Sequence, residues 1–99
     1  MAKYDVYVRR GRPGFLLDCQ ADLLSDLATR FVVPLIPEVE TPKPVGRLNP
    51  IFTVLGARVV MVTQVAAAIP TKELGNPVGS LLEEQDAIGN ALDILICGF

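Results

Sequence analysis

Apolar and polar positions alternate at strand spacing from the first residues of the chain. Residues 3–9, Lys-Tyr-Asp-Val-Tyr-Val-Arg, carry that alternation in β-favouring side chains and predict a strand. Arg10-Gly-Arg-Pro-Gly14 follows as a turn, because glycine admits positive φ and Pro13 sets a bend. Residues 15–20 return as a second strand, so the chain opens on a β-hairpin. Residues 21–26 are too few for an independent helix and predict a loop or a single helical turn. Of the adjacent Leu23 and Leu24 there, one is expected in the core. Residues 30–36, Arg-Phe-Val-Val-Pro-Leu-Ile, are almost continuously apolar, as in a strand covered on both faces for part of its length. Pro34 cannot donate a ladder hydrogen bond, which predicts an edge or a bulge at that point.

Residues 37–46 hold Pro37, Pro42 and Pro44 with Glu38 and Glu40 between them, a stiff and exposed connection. Residues 48–55 and 57–64 flank Gly56 as a second hairpin, the better signalled of the two and the expected centre of the sheet. The chain stays apolar and small from Val65 to Ile69, and residues 72–79 form a loop rich in turn formers. Ser80 and Glu83 then have the spacing of a capping box, with Glu83, Glu84 and Asp86 at the positive end of a helix dipole. Leu81, Ile88, Leu92 and Leu95 give that helix one apolar face. Its last turn is apolar all round through Ile94, Leu95 and Ile96, and the sequence closes on Cys97-Gly98-Phe99 without a polar tail. About five short strands joined by local hairpins imply antiparallel pairing. With one terminal helix, the expected fold is mainly β (α+β), a small curled sheet or barrel capped by the helix.

Ninety-nine residues bound this to a single domain, 1–99. Hydrophobic residues make up 51%, high for that size, so part of the apolar surface is expected to face a partner, most simply a second copy in a homodimer. No apolar run reaches membrane-span length and no basic-then-apolar leader precedes the domain, which predicts no membrane partner and a cytoplasmic location. The net charge of −2 disfavours direct binding to nucleic acid phosphates. Histidine is absent, which removes the commonest general base and metal ligand together. Cys19 and Cys97 match no metal or redox spacing and are expected as two core thiols. Arg9, Arg10 and Arg12 crowd the first hairpin tip as a solvated turn, with a phosphate or acidic partner as the sharper alternative. No glycine loop for phosphate, nucleophile elbow or zinc pair occurs. Ser25 and Ser80 have no histidine to activate them, and Cys97 faces the negative end of the helix dipole. These residues point to a binding protein, not an enzyme, with no cofactor and no metal.

Taken in order, several short stretches resemble the CcdB toxins of bacterial toxin–antitoxin pairs. They are Asp5-Val-Tyr7, Asp18-Cys-Gln-Ala-Asp22-Leu-Leu, Arg30-Phe-Val-Val-Pro-Leu35, Leu48-Asn-Pro50, Met61-Val-Thr63, Ile69-Pro70, and the terminal run from Ile88 to Phe99. The resemblance implies an SH3-like antiparallel β-barrel with one C-terminal α-helix, assembled as a symmetric homodimer. It implies that the helix ends bind the DNA gyrase A subunit and trap the gyrase–DNA cleavage complex. It implies a CcdA-like antitoxin that neutralises the toxin and, in complex with it, represses the operon, so that operator DNA is met only through the antitoxin complex. Carried over residue by residue, the gyrase-binding set is Leu23, Leu24, Asp93, Ile96, Cys97, Gly98 and Phe99. Gly98 matches the family's penultimate glycine, and Phe99 its terminal apolar residue. Ile96 stands where an aromatic residue is usual and Asp93 where asparagine is. Cys97 takes the place of the tryptophan that poisons gyrase. Either Phe99 supplies the missing aromatic anchor, or the protein keeps its antitoxin and has lost gyrase as a target. A rival reading is an endoribonuclease toxin on the same barrel, cleaving mRNA with Arg9, Arg10, Arg12 and Thr63. A third is a non-toxic interaction or immunity-like module.

Overall fold

A computed structural model describes residues 2–99. The opening hairpin is β1 (Asp5–Val8) and β2 (Phe15–Asp18), paired antiparallel with Val6 opposite Leu17. β3 (Thr29–Pro37) is the longest strand. β2 runs along one of its edges. Its other edge is shared, β6 (Ala67–Pro70) pairing with the first half and β5 (Ala57–Met61) with the second. Pro34 lies where that edge changes hands. Its carbonyl accepts the Val62 N–H at 3.0 Å, and its missing donor falls at the end of the β5 ladder.

β4 (Ile51–Val54) and β5 form the second hairpin, closed by Leu55 at φ 49° and Gly56 at φ 82°. Two positive φ values make the mirror-image turn whose twist matches its flanking strands. This hairpin is not the centre of the sheet. Strand order is β4-β5-β3-β2-β1-β7, with β7 (Gly79–Ser80) at the far end, so β4 is an edge and β3 is the hub. Length decides this: only β3, at nine residues, can carry three partners. The antiparallel sheet curls into a nearly closed barrel plugged by α1 (Gln85–Cys97), the mainly β, α+β architecture expected.

Inside the curl, Val6, Leu17, Val33, Leu35, Phe52 and Met61 pack with Ile88 and Ala91 of α1. On the outer face Tyr7, Val32 and Leu74 form a smaller cluster. Asp18 and Arg30 lie beside it, fully buried and paired at 2.6 Å.

The capping box does not form. Ser80 is spent as the last residue of β7, opposite Asp5, and its Oγ accepts the Leu82 N–H at 3.2 Å. One tight turn, Leu82–Glu84, intervenes before α1, so of the three acids only Asp86 lies in the helix's first turn. The apolar face holds at Leu81, Ile88 and Leu92, with Ala91 added, and gives out at Leu95, which is exposed. Nor are both thiols in the core: Cys19 is buried and Cys97 is exposed, because the helix outruns the barrel.

Candidate functional site at the helix end

The helix packs against the turns Gly46–Leu48 and Thr63–Val65 and against its own lead-in. Its final turn has passed those supports. Asp93, Leu95, Ile96, Cys97, Gly98 and Phe99 are all solvent-facing, Ile96 at 74% and Phe99 at 85% exposure. Gly98 stops the helix in the left-handed region, φ 87°, with its N–H donating to the carbonyls of Asp93 at 3.1 Å and Ile94 at 3.0 Å. That cap turns Phe99 off the helix axis. No basic side chain sits in the last turn, so the negative dipole end and the Asp93 carboxylate are uncompensated at the tip. An apolar, weakly anionic knob results.

Leu23 and Leu24 belong to the tight turn Asp22–Leu24, between β2 and β3. Neither is in the core, against expectation; Leu23 is 92% exposed. The turn's polar groups explain this. Buried Gln20 accepts the Phe31 N–H at 2.9 Å and donates to the Leu24 carbonyl at 2.9 Å, while Asp22 accepts the Lys3 N–H at 2.8 Å. Those bonds anchor the backbone inward and leave the leucines outward. The fold thus gathers Asp93, Ile96, Cys97, Gly98 and Phe99 at one helix end and presents Leu23 and Leu24 on a separate turn. Leu27 and Val65 are further exposed apolar side chains that the sequence reading missed. Nothing local distinguishes them from core residues; their exposure follows from which element ends where.

Thr63 is fully buried, its Oγ1 donating to the Leu48 carbonyl at 2.6 Å, while Arg10 and Arg12 stand exposed on the first hairpin tip. Among the described residues, no group of three or more His, Cys, Asp or Glu side chains is placed to hold a metal ion. None of the described helices is long and apolar enough to cross a membrane. No curated protein matches the sequence. A family model described as CcdB protein matches residues 3–98, nearly the whole chain. A curled antiparallel sheet with a plugging terminal helix is the fold that the resemblance to that toxin family implied, and the chain belongs to the CcdB family.

Proposed function

We propose that this protein is the toxin of a type II toxin–antitoxin pair, acting in the cytoplasm as a homodimer. In this reading Asp93, Ile96, Cys97, Gly98 and Phe99, with Leu23 and Leu24, bind the DNA gyrase A subunit and trap the gyrase–DNA cleavage complex. A CcdA-like antitoxin neutralises it and brings the complex to operator DNA. The mechanism is non-enzymatic: a bound wedge holds a reaction intermediate and makes no covalent change.

The observation that carries the proposal is the unsupported helix end. Ile96 and Phe99 expose apolar surface that costs solubility unless a partner covers it. Phe99 supplies the aromatic anchor that Cys97 lacks, in keeping with the weight of aromatic side chains in binding hot spots. The buried, bonded Thr63 counts against the RNA-cleaving alternative.

The test is a supercoiling and cleavage assay with purified bacterial gyrase and plasmid DNA. Linear DNA released on denaturing the enzyme is expected, and deletion of residues 97–99 should abolish it. No linear DNA at micromolar protein, across gyrases including the native host's, would overturn gyrase poisoning. The Cys97 departure would then mark a changed target, and mRNA cleavage would be assayed next.

A further inference from the structure

The two ends of the strand order, β4 and β7, leave a seam in the barrel. β4 ends the sheet at one side and β7 at the other. Together they line a cavity of about 410 Å³ with Ile51, Phe52, Thr53, Ser80 and Leu81. The β4–β5 register decides which backbone groups face it. Met61 N–H donates to the Pro50 carbonyl at 2.9 Å, so Phe52 and Val54 are the hydrogen-bonded partners of Val59 and Ala57. Ile51 and Thr53 therefore turn their N–H and C=O groups away from β5, toward the seam. On the far wall, Leu81 N–H donates to the Tyr4 carbonyl at 2.9 Å, so Ser80 turns its own backbone pair away from β1. No strand of the described residues pairs with these outward groups: β4 pairs only with β5 and β7 only with β1. Edges left this way recruit another strand unless they are blocked. Ile51–Val54 contains no proline or lysine, and Pro50 just before it is paired toward β5, so its missing donor does not face the seam.

The walls also specify charge. Glu83 and Glu84 both line the cavity and are exposed, and no basic side chain lines it. A second copy pairing β4 to β4 about a two-fold axis would bring both pairs of carboxylates together. We propose that the seam binds an extended basic peptide segment, which adds a strand to Ile51 and Thr53 and sets lysine or arginine side chains against Glu83 and Glu84. Alternate apolar side chains of that segment would rest on Phe52 and Leu81, as in strand addition generally. The seam lies at the start of α1, roughly 18 Å along the helix from the tip proposed for gyrase, so this inference does not rest on that reading.

The test is amide NMR of the full chain titrated with a blocked seven-residue peptide of alternating lysine and valine. Saturable shifts and slowed exchange at the Ile51, Thr53 and Ser80 amides are expected. Glu83→Gln with Glu84→Gln, both on the exposed surface, should weaken binding about threefold to tenfold. A peptide with central prolines should not bind. The proposal is overturned by no shift at millimolar peptide, by shifts centred elsewhere, by equal binding of the proline or a glutamate–valine peptide, or by protection of these amides in the free protein through self-association.

Discussion

At the scale of single residues, the outer face of the sheet hides an ion pair. Asp18 accepts from Arg30 Nε at 2.8 Å and from the Gln20 N–H at 3.0 Å, with Asp18 and Arg30 both fully buried. A buried pair of this kind adds little over an apolar one, but removing one member strands the other. Asp18→Asn is expected to cost about 3–5 kcal/mol in urea unfolding, more than Cys97→Ala, whose side chain is already in solvent. Burial, with the Asp18 charge in support and Lys3 opposing, pushes the Cys19 thiol from 9.0 up to about 12. Below the unfolded value both states hold that proton. As pH rises from 9 toward 12 only the unfolded chain releases it, so folding stability falls across that window. Cys19→Ala should flatten the slope in a pH series of denaturation midpoints. Part will remain, because burial and nearby Asp5 and Asp18 also raise Tyr7. Phe99→Ala should leave stability within about 0.5 kcal/mol, as exposed positions do. On the gyrase reading it should weaken poisoning about 30-fold, measured as the protein concentration needed for half-maximal linear DNA.

At the scale of elements, the turns hold the register. Gly14 has φ 104°, and a Cβ there would run into the Leu35 carbonyl across the β2–β3 pair. Gly14→Ala is therefore expected to cost more than about 1 kcal/mol in denaturant midpoint. Gly11→Ala meets nothing within 4 Å and should pay only for its positive φ. Both hairpins were legible in sequence because each is local: alternating strands, glycine at the turn, short loops. β6 and β7 were not. The run Ala67–Pro70 is too small and apolar to declare a strand by pattern, and it becomes one because β3 offers it a free edge. The helix start was misplaced for a related reason. Ser80 and Glu83 have capping-box spacing, but a long-range pairing with Asp5 claimed Ser80 first.

At the scale of the whole molecule, the homodimer proposed above is tested through the apolar surface left outside the core. Leu23, Leu27, Val65, Ile96 and Phe99 stay exposed in the single chain. Equilibrium sedimentation is expected to give twice the monomer mass at micromolar concentration; a monomer there would overturn the homodimer. The seam between β4 and β7 is the other whole-molecule feature, since neither strand alone forms it.

The sequence by itself determined the antiparallel class, the two hairpins, the terminal helix with its apolar face, and the family. All of these rest on local periodicity, turn chemistry or ordered short motifs. It also marked the apolar chain end from Ile94 to Phe99, and the family resemblance added Asp93 there and Leu23 and Leu24 elsewhere. Tertiary structure alone decided that β3 and not the second hairpin is the hub, that Leu23 and Leu24 both face solvent, that Thr63 is sealed inside, and that Cys97, unlike Cys19, stays outside the core. Those outcomes depend on which distant strand takes an edge and which buried polar group, such as Gln20, claims a turn's backbone. Contacts between residues far apart in the chain leave no local pattern to read.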